Sequence, residues 1–249
     1  MSFETAEVPA EAIEQPVPWI VQYQRVQCTG GSPLTTFQGV LCDEIVLPQS
    51  AADHGDPAQL VAAADAWVEA LTNQAQFLPG EFAQEALWSF YARDYIAQVS
   101  VGGHAQYFAN RGGDEVALRC ASAGLKSMLA DPHWELLTLL LRLKRSKPPV
   151  ARKIAAEHGY RSANAALKDL DKRFAELESK EPLTARHKTW LKSLRKVKFA
   201  PDAEMTGHLQ RVAQANQLFA RRKMETDRVR AETLRASAPF RAVKTLCDM

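Results

Sequence analysis

Between Trp134 and Leu143, seven of ten positions are large and apolar: Trp134, Leu136, Leu137, Leu139, Leu140, Leu141 and Leu143. Asp131-Pro132 stands just ahead of them, a capping side chain followed by the proline that suits a helix's first turn. Wound as a helix, the seven residues point in nearly every direction, so this helix belongs at the centre of a bundle. It cannot be a membrane span, because Arg142 interrupts it and a span needs about 20 apolar residues.

The segments before it have the same character. Asp56-Pro57 opens a helix through Leu60, Ala64, Trp67 and Leu71, and Leu78-Pro79-Gly80 separates it from a second, near residues 81–99. The apolar set of that second helix, Phe82, Leu87, Phe90, Tyr91, Tyr95 and Ile96, is broad enough to be largely buried. Gly102-Gly103 ends it, a short helix covers 104–110, and Asp114 caps a further one through Leu118, Ala121, Leu125 and Met128. Residues 1–55, rich in Pro, Gln, Ser and Thr, read as a partly ordered arm holding the β-like runs 19–26 and 37–47.

Lys147-Pro148-Pro149 is the clearest internal boundary, since two prolines stop a helix. Beyond it, helices are predicted over 150–157, 162–178 and 183–194, the middle one with Leu167, Leu170, Phe174 and Leu177 along one face. A long charged helix with thin apolar content is predicted over 201–237. The fold class is therefore all-α: a multi-helix bundle of residues 56–146, continuing to about 180, a basic helical extension over 147–200, and a long C-terminal helix with its tail over 201–249.

Charge divides the chain at the same place. Residues 1–140 hold 17 acidic and 5 basic side chains, and residues 141–249 hold 12 and 26, so a net charge of +2 conceals −12 and +14. Such a division gives two surfaces for different partners, or two parts that attract each other. Cys28, Cys42, Cys120 and Cys247 are scattered without a CxxC pair, which favours reduced thiols and a cytoplasmic setting. No basic-then-apolar leader opens the sequence.

The string Val101-Gly102-Gly103-His104-Ala105-Gln106-Tyr107-Phe108-Ala109-Asn110, followed by Gly113-Asp114 and an alanine-rich helix, resembles the bacterial DNA-mimic protein family. That pattern reads Asn-Gly-Gly-Phe, Gln, two aromatics and Asn, then a Gly-Asp step. Gly102, Gly103, Gln106, Tyr107, Phe108, Asn110 and Asp114 match it, while Val101 and His104 stand where it has Asn and Phe. The likeness covers roughly residues 60–180 and is most specific at 98–124. It implies a helical domain without established catalysis that binds a DNA-binding protein through an acidic surface standing in for phosphates. Duplex DNA carries one charge per about 1.7 Å, so a mimic face of about 25 Å needs roughly 14 charges. With −12 spread over every face, a smaller acidic patch is the form expected here, drawn from Asp65, Glu69, Glu81, Glu85 and Asp94. Within the motif, the glycines suit a tight turn, Asn110 a helix end, Asp114 a helix start, and Tyr107 and Phe108 a core.

Residues 151–170 resemble a helix-turn-helix, with Ala155 and Gly159 four apart and an approach to the second helix like that of LexA-type repressors. That likeness implies Arg161, Ser162 and Asn164 near bases or phosphates and Lys168 and Lys172 near the backbone, and it makes direct DNA binding the alternative function. No β-hairpin wing is predicted after it. Signals for catalysis are weak: Cys28-Thr29-Gly30-Gly31-Ser32 lacks the lysine and spacing of a phosphate loop, and HExxH, GxSxG and GxGxxG are missing. His54, between Asp53 and Asp56, is better placed in a loop leading to a capped helix than at a metal. The expectation is a non-enzymatic, cofactor-free binding protein.

Overall fold

The computed structural model describes residues 34–146 and 164–247, with side chains up to Leu143 and from Asn164 to Thr233. The β-like run 19–26, the predicted helix 150–157, and Arg161 and Ser162 lie outside the described residues. Strand β1 (Ile45–Pro48) is followed by helices α1 (Gln49–Asp53) and α2 (Pro57–Glu69), the latter closing in a wider turn over Ala70–Gln74. Then come α3 (Gln84–Arg111), α4 (Glu115–Ser127), α5 (Asp131–Ser146), α6 (Ala165–Lys180) and α7 (Leu183–Ser193). Strand β2 (Val197–Ala200), α8 (Met205–Ala215) and α9 (Phe219–Cys247) complete the order.

The capping residues do what their chemistry allows. Asp56 accepts the Ala58 N–H at 2.9 Å with Pro57 in the first turn, Asp114 accepts the Ala117 N–H at 3.0 Å, and Asn164 accepts the Ala166 N–H at 2.9 Å. His54 belongs to the same device: its Nδ1 accepts the Asp56 N–H at 3.1 Å.

One apolar cluster runs from Cys42 to Ala200, joining residues of β1, α2 to α7 and β2. At its centre is α3, which packs on α2, α4, α6 and α7. This corrects the place expected for the leucine-rich helix. In α5, Leu136, Leu137 and Leu140 are buried, each stabilising by roughly 1.5–3 kcal/mol. Leu139, Leu141 and Leu143 are only half-covered, and among the described elements α5 packs chiefly on α4 and α6.

The all-α class holds with one small addition. β1 and β2 pair in parallel, Ile45 opposite Val197 and Pro48 opposite Ala200. β1 overlaps the end of the predicted β-like run; β2 lies in a stretch after α7 whose alternation, Lys196-Val197-Lys198-Phe199, is too short to mark a strand by itself. The long C-terminal helix is also divided. Asn216, buried, turns inward between α8 and α9, its Nδ2 donating to the carbonyls of Ala75 and Gln76 at 2.8 and 3.0 Å. No described helix is long and apolar enough to cross a membrane.

Candidate functional site

The motif near residue 100 occupies a kink in the central helix. α3 runs straight to Gly102, then Gly103 takes φ 74° and ψ −178°, and the helix resumes at His104. Both glycines are required by what lies over them. A Cβ on Gly103 would collide with the Asp171 carboxylate, and one on Gly102 with the Gln106 side-chain oxygen.

Asp171, on α6, then binds the restarted helix. Its Oδ1 accepts the His104 backbone N–H at 2.8 Å and the His104 Nδ1–H at 2.7 Å. On the other side of the ring, Nε2 is hydrogen-bonded with the Tyr95 hydroxyl at 3.0 Å. His104 and Tyr95 are fully buried, and desolvation holds the Tyr95 hydroxyl well above its ordinary range, so it keeps its proton. Asp171, His104 and Tyr95 form a hydrogen-bonded chain, but its hydroxyl end is closed to any substrate.

The rest of the motif is packed or paired, except that the buried Gln106 side-chain oxygen and Tyr107 hydroxyl have no hydrogen-bond partner among the described residues. Tyr107 is fully buried and meets Tyr95 edge to face at 5.0 Å between centroids. Asn110 Nδ2 donates to Gln98 Oε1 at 2.9 Å, Gln98 Nε2 donates to Asp94 Oδ1 at 2.8 Å, and Arg111 Nε donates to Asp94 Oδ2 at 2.8 Å. Asp114 caps α4. The motif therefore builds a joint in the bundle.

A second carboxylate on α6 repeats the grip. Glu178 Oε1 accepts from His133 Nε2 and from the Leu183 N–H, both at 3.0 Å. Between the two histidines, Phe174 meets His104 and His133 edge to face at 6.0 and 5.6 Å. Against this joint lies an open cleft of about 580 Å³, lined in part by Ser100, Gly103, Lys168, Asp171 and Lys172. Two of the lysines expected near nucleic acid thus stand beside the family motif.

The five acidic residues do not form one face. Glu81 is fully buried, and its carboxylate is gripped by Arg222 from α9 at 2.7 and 2.9 Å, so it is removed from any acidic surface. Asp65 is also buried; Arg93 Nε lies 3.1 Å from Oδ2 without hydrogen-bond geometry, and desolvation pushes the carboxyl up to about 7. Neither can present a charge to a partner. Glu85 is half-buried and paired with Lys196 at 3.0 Å, and Asp94 is held by Arg111 and Gln98. Glu69 is exposed. These corrections have different physical causes: burial withdraws Asp65, Arg222 and Lys196 reach Glu81 and Glu85 from distant segments, and Arg111 on the same helix turns to Asp94 from beyond the kink.

Of the nucleic-acid set, Lys168 and Lys172 are exposed on α6, whereas the Asn164 side-chain oxygen is spent on its cap. α7 follows α6 directly, so no hairpin wing is present there. Sequence spacing missed Asp171, Arg222 and His187. His187 Nε2 lies 2.7 Å from the Ser89 hydroxyl, both fully buried, and desolvation lowers its imidazole to about 3. A nucleophile–base pair in outline, it too is closed to substrate. Of these three, only Asp171 had a readable signal, one turn ahead of Phe174 on the inward face.

No curated protein and no solved structure matches the chain. Residues 80–194, a little under half of the chain, match the family model of the DMP19-like proteins. The stretch that carries the kink, its glycines and the two histidine–carboxylate grips thus resembles the DNA-mimic family, as the motif from Gly102 to Asp114 implied.

Proposed function

We propose that the chain is a non-enzymatic binding protein of DNA-mimic type, engaging a DNA-binding protein through exposed carboxylates of its helical body. The single observation that carries this reading is the match of residues 80–194 to the DMP19-like proteins. Burial of both histidine–hydroxyl pairs supports a role without catalysis. With Asp65 and Glu81 withdrawn, Glu69 is the strongest contact, joined by Glu85 through the oxygen that Lys196 does not hold and by the part of Asp94 that stays exposed beside Arg111 and Gln98.

The test is capture from a bacterial lysate on the immobilised full chain, repeated with a variant carrying Glu69→Lys and Asp94→Asn. The reading requires a captured protein that binds duplex DNA, is released from the chain by added duplex, and is lost to the variant. Capture that duplex does not compete would sink it. The second reading, direct DNA contact, rests on the exposed Lys168 and Lys172 beside the motif cleft. Fluorescence anisotropy with a random duplex separates the two: binding that weakens steeply with salt and is lost on Lys168→Glu with Lys172→Glu would favour the lysines.

A further inference from the structure

β2 is the rim of the small sheet. Its neighbour β1 is buried on both faces, with Ile45 and Leu47 fully covered, and α2 and α8 pack against it. In β2, Lys198 and Phe199 are successive and so point to opposite faces, yet both are exposed, Phe199 by 37%.

The register says which backbone groups face outward. Ile45 stands opposite Val197, and its N–H donates to the Lys196 carbonyl at 2.9 Å. A residue in a parallel ladder bonds the two neighbours of its opposite number, so Lys196, Lys198 and Ala200 turn their backbone groups to β1. Those of Phe199 turn away from it. Among the described residues, no other backbone group bonds the Phe199 N–H or carbonyl.

The charge carried by the strand itself is positive. Lys196 is held by Asp43 and Glu85 at 2.9 and 3.0 Å, and Asp202, past the strand, accepts from the Ser50 hydroxyl at 2.6 Å. Arg195 and Lys198 are exposed, with no ion pair to a described residue. A lysine on a short edge strand guards against pairing with a copy of itself, since like charges opposite each other repel. That guard explains Lys198, but neither the exposed aromatic next to it nor the second cation.

We propose that the free edge of β2 is a docking site for an extended segment of a partner protein whose side chains alternate between acidic and apolar. The segment adds as a third strand along Phe199, its carboxylates toward Lys198 and its apolar side chains on the Phe199 face, with Arg195 in the turn that leads into the strand. In strand addition, backbone bonds supply affinity and alternate side chains supply specificity. Of the carboxylates of the preceding reading only Glu85 adjoins this surface, through its pair with Lys196, and the edge selects a partner of the opposite charge.

The probe is a short fluorescein-labelled peptide of alternating Glu and Val, titrated by anisotropy with the full chain. Saturable binding is expected, with little for the same peptide carrying Lys in place of Glu. Lys198→Glu, a surface change that spares the core, should weaken binding by at least about tenfold. Phe199→Pro removes the outward N–H while leaving the β1 bonds, and should abolish it; hydrogen exchange at Phe199 should slow when peptide is added to the native chain. The proposal is overturned by absence of saturable binding, by binding indifferent to Lys198→Glu, or by a dimer that Phe199→Pro dissolves, which would give the edge to a second copy.

Discussion

Glu81 and Arg222 stand 141 residues apart in sequence and form a fully buried, two-bond ion pair, Nη1 to Oε2 at 2.7 Å and Nη2 to Oε1 at 2.9 Å. Each keeps its remaining hydrogen-bonding capacity occupied. Glu81 also accepts the backbone N–H groups of Gln38 and Leu78 at 2.9 Å, and Arg222 also donates to the carbonyls of Gln76 and Thr36. Three distant pieces of chain, near residues 36, 80 and 220, are thereby fastened to one carboxylate. Breaking one side of such a pair leaves an uncompensated buried charge. Arg222→Met and Glu81→Gln should each cost about 3–5 kcal/mol in urea unfolding. The double variant should cost clearly less than the two together, and strict additivity would show that the two residues stabilise independently.

The kink yields a second expectation. Gly103→Ala places a methyl group against the Asp171 carboxylate in a backbone conformation that alanine avoids, so a loss on the order of 2–3 kcal/mol is expected. Adding Asp171→Ala relieves the collision but leaves the strain, so Gly103→Ala should cost less in that background than alone. An equal cost in both would mean that φ alone demands the glycine.

How much of this was legible depends on the range of each interaction. Asp56-Pro57 and Asp114 act within three residues, and those helix starts could be read directly; Asn164 acts over the same range, yet its helix is predicted from 162 and its side chain near nucleic acid. Gly102-Gly103 announced a break, and the break is there, but the residue that requires it, Asp171, lies 67 positions from His104. The same distance problem misplaced Glu81, a carboxylate with every local mark of a surface residue until Arg222 arrives from α9. The apolar ring of α5 showed that much of it is buried, though not that α3, with Tyr95 and Tyr107 inward, holds the centre. Asn216 interrupts a charged run that carries no proline or glycine there, since its reason lies in the carbonyls of Ala75 and Gln76.

Two buried titratable groups should offset each other. Asp65 is pushed up to about 7 by desolvation, against the pull of Arg93, and His187 is lowered to about 3 by desolvation, with Arg93 adding to it. Their ordinary values are 3.8 and 6.5. Between about pH 4 and 6.5 the folded chain keeps a proton on Asp65 that the unfolded chain has lost, and the unfolded chain holds one on His187 that the folded chain lacks. The proton counts match, so the pair contributes no net slope. Asp65→Asn leaves the histidine alone, and stability should then rise with pH across that window by roughly 3 kcal/mol. His187→Gln leaves the carboxyl, and stability should fall by a comparable amount toward pH 7. Urea midpoints at several pH values measure both slopes, and two parallel slopes would refute the compensation.

Leu129 supplies the last expectation, because there a large side chain should be worth less than none. It sits just past the end of α4 at φ 55°, where its N–H donates to the Lys126 carbonyl and that of Ala130 to the Leu125 carbonyl. This is the glycine-favouring helix stop, and a leucine in it bears strain of the order of 1 kcal/mol. Its side chain is 72% exposed, so little apolar burial offsets that strain. The contact that matters, Arg186 Nη1 donating to the Leu129 carbonyl at 2.9 Å, belongs to the backbone and survives substitution. Leu129→Gly should therefore raise stability by about 0.5–1 kcal/mol, whereas the same change at a helix interior would lower it. Thermal unfolding decides the sign: a lowered midpoint would mean that the leucine packs on something in solution, and that its strain is retained for that contact.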